Sequence, residues 1–237
     1  MTAAGAYSVL YSFCSLANCS DGTQPQSLTL GPNGNLFGLA QLGGFGNCGT
    51  VFQVSPEGRF VVMHRFNDLV DGCNPFNALT WANDGNLYAV TGNDQNGGFI
   101  FEVAPDGEFT SLYNFSCCNG GTRPYGTLFQ GTDGGLYGET AGSVVGGSGT
   151  IFKFSNNLSP LVETVPVAGS VGQPVIILGN HLTGTTSVTF NGTPAAFTVV
   201  SETEITTSVP SGATTGPVSA ATRYGTLNSS PPFRVTR

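Results

Sequence analysis

The feature that most constrains this chain is a period of about fifty residues. Thr50-Val51-Phe52 recurs as Phe99-Ile100-Phe101 and as Thr150-Ile151-Phe152. Leu36-Phe37 recurs as Leu87-Tyr88 and as Leu136-Tyr137. A turn precedes each pair: Pro32-Asn33-Gly34, Asn83-Asp84-Gly85 and Thr132-Asp133-Gly134. Pro25, Pro75 and Pro124 share one phase, and Phe13, Phe66 and Phe115 another. Agreement at several independent positions marks a structural repeat, whose units bury their apolar faces only by stacking on neighbours.

Each period reads as four short strands. In the middle one, residues 77–82 form an apolar run that ends at Asn-Asp-Gly. Residues 86–91, 98–103 and 109–115 then alternate in the β manner. Asp-Gly and Asn-Gly between alternating apolar runs are strong hairpin signals. Four antiparallel strands in 40–50 residues describe a propeller blade. The expectation is an all-β chain with three four-stranded propeller-like blades, near 7–59, 60–108 and 109–157. Residues 7–13 match the outer strands 60–66 and 109–115, so they are expected to be a fourth strand displaced to the N-terminus. Such a strand closes a ring by completing the last blade and hiding its edge. Propellers typically have 4–8 blades. Three blades therefore imply a fragment of a longer array, a homodimer that completes the ring, or an open curved unit.

The composition changes at Asn156-Asn157-Leu158-Ser159-Pro160. Residues 1–157 carry the whole net charge of −7, all six cysteines and 21 of the 25 aromatic residues. Residues 158–237 are neutral and rich in Thr and Ser. There, seven short apolar runs (161–165, 174–178, 186–190, 196–200, 204–209, 217–222 and 232–236) predict an immunoglobulin-like β-sandwich. A Cys…Trp…Cys core is absent from this part of the sequence.

Charged residues make up only 9% of the chain, against about 25% in an average soluble protein. Helical bundles lack their Ala/Glu/Lys supply here, and aromatic content of 11% opposes disorder. The acidic balance excludes nucleic acid as an expected partner, since phosphates need clustered Lys and Arg. No run of about 18 apolar residues exists, so no membrane insertion is expected. The sequence shows no signal peptide, yet its composition points to an extracellular or cell-surface protein. Cys14 and Cys19 flank a five-residue step and are the disulfide candidate. Cys48, Cys73, Cys117 and Cys118 have no pairing that spacing alone can assign.

Two family resemblances rest on these residues. Gly169-Ser170-Val171-Gly172, the strand PVIILGNHL, the stretch VTFNGTPAAFTVV and the closing PFRVT resemble an IPT/TIG domain over 169–236. That resemblance implies an immunoglobulin-like binding or spacer module of bacterial surface proteins. DGTQP, GPNGNLFGLAQLGG and CGTVFQVSPEG, within 21–58, resemble the GloVer extracellular repeat family. It implies propeller-like β-structure in a secreted bacterial protein. The second copy departs from the pattern at Gly92-Asn93-Asp94-Gln95-Asn96 and at Phe99. The third lacks the Pro-Asp-Gly turn at Ser155-Asn156-Asn157.

Little in the sequence points to catalysis. His64 and His181 are the only histidines and lie in different domains. Gly146-Gly147-Ser148-Gly149 lacks the spacing of a nucleophile elbow. Asp21, Asp71, Asp84, Asp106 and Asp133 precede glycines, where Asp serves turns by bonding nearby backbone. No cofactor is expected. A weak calcium site would be sought at Asp94, with Asn93 and Asn96. Blade loops gather on one face and make concave sites. Trp81, Arg123, Tyr125, Phe45 and Asp94 are the ligand-binding candidates, with a carbohydrate or a protein as ligand. The function expected is a non-catalytic binding or adhesion module, its ligand a glycan or matrix polymer. The alternatives are a purely structural spacer and a carbohydrate-active enzyme.

Overall fold

The computed structural model describes residues 5, 7–92, 97–115, 121–142 and 148–237. The chain forms two compact units. One comprises Met1–Phe129 with Tyr137–Lys153, the other Gln130–Leu136 with Phe154–Arg237. Both are built from antiparallel sheets, apart from one parallel pair in the second unit.

The first blade is a sheet of β1 (Thr23–Leu30), β2 (Leu36–Leu42), β3 (Thr50–Val54) and β4 (Phe60–Arg65), in that order. The second is β5 (Thr80–Trp81), β6 (Leu87–Thr91), β7 (Phe99–Val103) and β8 (Phe109–Asn114). The third holds β9 (Thr122–Gln130), β10 (Leu136–Gly142) and β11 (Thr150–Phe154). Its described residues make three strands, with β11 at the edge.

The sequence repeat is a repeat of hydrogen bonds. Asn33, Asp84 and Asp133 each accept, on Oδ1, the N–H two residues on, which shapes the first turn of each blade. Between blades, Thr29 Oγ1 donates to Leu79 O at 2.7 Å and Thr80 Oγ1 donates to Leu128 O at 2.5 Å. Ser27 Oγ donates to Asn77 O at 2.6 Å. The inner strands β1, β5 and β9 are thus stitched through side-chain hydroxyls.

The apolar core of the repeats lies between blades. Phe37, Leu39 and Val51 of the first blade pack with Leu79, Leu87, Phe101 and Val103 of the second. Phe66 joins them and meets Phe101 edge-on at 5.1 Å. Equivalent leucines show what stacking does. Leu79 is 2% exposed and Leu128 3%, each covered by the preceding blade. Leu28, at the same phase on the first blade, is 56% exposed. Covering one such side chain is worth about 1.5–3 kcal/mol.

Residues 7–13 are not a strand among the described residues, and the sheets are open. The segment does not complete the third blade, as the ring-closing expectation required. Instead it lies against the first. Tyr11 stacks on Phe60 with centroids 3.7 Å apart. Phe13 packs edge-on against Phe52 at 5.0 Å. It occupies the place that β4 takes before the second blade, where His64 stacks on Phe109 at 3.6 Å.

The second unit is the expected sandwich. One sheet runs β12 (Glu163–Val165), β14 (Pro174–Leu178), β18 (Glu204–Ser208), β17 (Phe197–Val199). The facing sheet runs β16 (Thr193–Ala195), β15 (Ser187–Phe190), β19 (Val218–Thr222), β20 (Gly225–Asn228). β13 (Ala168–Ser170) pairs in parallel with β21 (Arg234–Thr236). Val175, Ile177, Val188, Phe190, Ile205, Val218 and Phe233 fill the space between them. All seven apolar runs read from the sequence contain a strand. β13, β16 and β20 are additional, each three or four residues long and too short to show a period.

Candidate functional site

The concave site of the repeats is built where one blade enters the next. Gln24, Asn74 and Arg123 precede Pro25, Pro75 and Pro124, and all three have positive φ, +55°, +54° and +57°. The N–H of Asn74 donates to Cys48 O at 3.0 Å, and that of Arg123 donates to Gly97 O at 3.0 Å. The proline that follows rests on a glycine of the blade before. A Cβ on Gly98 would lie 2.7 Å from Pro124 Cδ and 2.2 Å from Thr91 O, at a φ of +92°. Only glycine allows this approach, and it fixes the backbone that carries Arg123 and Tyr125.

Arg123, Pro124 and Tyr125 meet Asn74, Phe76, Gly92 and Ala141 around a pocket of about 210 Å³. Phe76 and Tyr125 face each other at 6.0 Å, tilted by 47°. Tyr125 is 54% exposed and Arg123 is exposed. Two predicted residues thus come together, joined by two that the sequence reading missed. Their signal was present: an aromatic residue follows the repeat proline in Pro75-Phe76 and Pro124-Tyr125 but not in Pro25-Gln26.

The other candidates fall elsewhere. Trp81 sits where Gln130 sits in the third blade, seven residues along the strand from the phase of Arg123. At about 3.3 Å per residue that is about 23 Å, the opposite end of the blades. Its Nε1 donates to Leu30 O at 3.0 Å and its ring meets Phe37 edge-on at 5.3 Å. Trp81 therefore packs between the first two blades. Phe45 is exposed in the turn Phe45–Asn47 and does not line the pocket. Asp94, with Asn93 and Asn96, lies outside the described residues, as do Cys117, Cys118 and Gly146-Gly147. Among the described residues no three His, Cys, Asp or Glu side chains gather as a metal site.

Asp21 and Asp71 differ from the turn aspartates with which the sequence groups them. Both are buried. Asp21 accepts Tyr11 Oη at 2.6 Å and the N–H of Ser15 at 2.9 Å on Oδ2, and the N–H of Leu16 at 3.3 Å on Oδ1. Burial pushes this carboxyl up, but these hydrogen bonds outweigh it and hold it below the ordinary value. Tyr11 is pushed up, first by burial and then by Asp21. Asp71 Oδ2 lies 2.7 Å from His64 Nε2, and its Oδ1 accepts the N–H of Asn67 at 2.6 Å. His64 lies on the edge strand β4, half-buried against Phe66 and Phe109. His64–Asp71 is the second blade's version of Tyr11–Asp21. In both places the pair ties an outer strand or its equivalent to the blade that follows.

Two disulfides brace the same region. Cys14–Cys19 is the predicted one. Cys48–Cys73 links the turn after β2 to the entry of the second blade, beside the Asn74 hydrogen bond. A larger apolar hollow of about 460 Å³ lies on the first blade, lined by Leu10, Tyr11, Phe13, Leu28, Phe52 and Phe60 among others.

Comparison with known proteins agrees with both sequence resemblances. The Gloeobacter/Verrucomicrobia repeat model matches residues 1–116, and the IPT/TIG domain model matches residues 160–235. Both describe repeat and immunoglobulin-like modules of non-catalytic type. A search of curated proteins finds no match. Among solved structures the chain is similar to a protein named "putative gluconolactonase", at 16% identity and a TM-score of 0.36. That likeness covers 78% of this chain and 58% of the other. It is also similar to a gamma-CGTase from alkalophilic Bacillus clarkii, at 15% identity and a TM-score of 0.29, over 67% of this chain and 25% of the other. The chain therefore spans less than two thirds of either protein's length. Among the described residues no helix is long and apolar enough to cross a membrane.

Proposed function

We propose that the chain is a non-catalytic extracellular binding module whose ligand is a glycan, held in the pocket between the second and third blades. The observation that carries this reading is the convergence of Phe76, Tyr125, Arg123 and Asn74 on one small concavity. The exposed Tyr125 ring, beside the half-buried Phe76, suits the C–H face of a sugar. A guanidinium and an amide beside them can donate to its hydroxyls. Two disulfides and an IPT/TIG-type domain support an extracellular setting. The His64–Asp71 pair fits a packing role, since it recurs one blade earlier as Tyr11–Asp21.

Glycan-array binding tests the reading with Tyr125→Ala, whose ring is exposed enough for truncation to leave the core intact. Loss of at least tenfold in affinity is expected. Trp81→Ala, at the other end of the blades, should bind as the parent does if it remains folded. Equal binding by Tyr125→Ala and the parent, or no glycan binding at all, would remove the proposal.

A further inference from the structure

The repeat leaves one interface half-made at each end of the blade stack. Before the first blade, Leu28, Leu36, Phe52, Val54 and Phe60 line the 460 Å³ hollow. Leu28 is 56% exposed and Leu36 half-buried there, whereas their counterparts Leu79 and Leu87 are 2% and 0% exposed under the blade before them; Phe52 and Val54 are already covered by Phe13, Leu36 and Phe60. After the third blade, β11 is a sheet edge among the described residues, and Ile151 on it is 86% exposed. Its counterparts Val51 and Ile100 are fully buried.

The missing parts are both in the chain. In the first two blades the third strand pairs with a fourth: Val51 opposite His64, Val54 opposite Phe60, Ile100 opposite Tyr113, Val103 opposite Phe109. β11 lacks that neighbour among the described residues, while residues 7–13 have a fourth strand's sequence without its sheet. Tyr7 is 92% exposed, and Val9 and Leu10 are exposed too. Two further contacts recur with the same ends missing. Phe66 N–H donates to Gly49 O, and Phe115 N–H donates to Gly98 O. Their counterparts are Phe13 and Gly149, at opposite ends of the repeat. Pro75 rests on Gly49 and Pro124 on Gly98. The remaining members of that series are Pro25 and Gly149, whose φ of +121° is positive like those of Gly49 and Gly98.

We propose that two copies of this chain join head to tail, residues 7–13 of each pairing with β11 of the other. The partner's third blade then covers the hollow on the first, and two such contacts close a ring of six blades. Six lies within the range in which blades enclose a ring. Strand addition to an open edge supplies main-chain hydrogen bonds, and the exposed apolar residues supply burial. Tyr11 and Phe13 are already seated by Asp21, Phe52 and Phe60, so one end of the donor segment is held in place before it pairs. The register follows from the earlier blades: Tyr11 faces Ile151, and Ser8 faces Lys153. Glu139 stands on the outgoing face where Leu39 and Val90 stand in the other blades. It makes this contact more polar than the ones within the chain.

The test is light scattering on the full chain, at micromolar and higher concentration. Twice the chain mass of 24.4 kDa is expected. Val9→Pro removes a strand donor from an exposed, irregular segment, and should return the single-chain mass with unchanged circular dichroism. Glu139→Leu should move the monomer–dimer midpoint to lower concentration, which rules out simple misfolding as the cause of a Val9→Pro effect. Ser8→Cys with Lys153→Cys should give a disulfide-linked dimer on a non-reducing gel. A monomer at all concentrations overturns the proposal. So does a dimer unaffected by Val9→Pro, or a Ser8–Lys153 cross-link formed within one chain.

Discussion

The Cys48–Cys73 bridge offers a quantitative test of how the blades are held. It joins residues 25 apart in sequence, whereas Cys14–Cys19 joins residues 5 apart. If each bridge acts by restricting the unfolded chain, loop closure is worth about 3.5 kcal/mol for the first and about 2 kcal/mol for the second. The perturbation is Cys48→Ala with Cys73→Ala, compared with Cys14→Ala with Cys19→Ala. Urea unfolding followed by Trp81 fluorescence is the assay. Trp81 is the only tryptophan of the chain and packs between the first two blades, so its signal reports on the repeats alone. With a slope of about 2 kcal/mol/M, the midpoint should fall by about 1.7 M without the long bridge and about 1 M without the short one. The slopes should rise slightly or stay unchanged, because an unbridged unfolded chain exposes at least as much surface. Equal midpoint shifts, or a shift under about 0.5 M for Cys48/Cys73, would refute loop closure as the source of its stabilisation.

Two further outcomes follow from the geometry. Asp21 has a lowered folded pKa, so its contribution is present above the ordinary value of 3.8 and is lost as pH falls through the folded one. Asp21→Asn should flatten the acid limb of a stability–pH curve followed by thermal melting; a limb as steep as the parent's would refute the linkage. Gly98→Ala places a methyl group against Thr91 O and Pro124 at positive φ. It should cost about 2 kcal/mol or more in chemical unfolding, whereas Gly85→Ala, where a Cβ meets nothing, should cost only its backbone strain, about 1 kcal/mol.

The architecture was legible because its signals are local or strictly periodic. A turn such as Asn83-Asp84-Gly85 folds on itself, and the period of Phe37 and Tyr88 reveals buried inter-blade positions whatever their neighbours. In the second unit, alternation in runs such as PVIIL sufficed to place strands. The Asp-Gly aspartates divide because one dipeptide serves two geometries. Asp84 bonds forward to Asn86, but Asp21 and Asp71 reach backward by ten and seven residues, to a Tyr in one blade and a His in the next. No fixed spacing or residue type marks such a pair. Cys48–Cys73 was hidden because it crosses a blade boundary. The pocket is half visible in the sequence: it holds Arg123 and Tyr125, while Trp81 lies toward the other end of the blades, and residue type says nothing of which end of a strand a residue occupies.

The hydroxyl stitching of the inner strands bears on how this chain would behave under tension. Within a blade, main-chain ladders would have to be sheared. Between blades, the joints are side-chain bonds such as Thr29 to Leu79 and Thr80 to Leu128, with an apolar seam beside them. Pulled from its ends, such a stack would come apart at the joints, one blade at a time, each releasing about fifty residues or about 170 Å of slack. The bridge from Cys48 to Cys73 spans the first of those joints and keeps 25 residues from paying out, so the first two blades would yield as one piece. A filament of these repeats would thus extend in coarse steps, with a stiffer stretch at the end where its first blade lies.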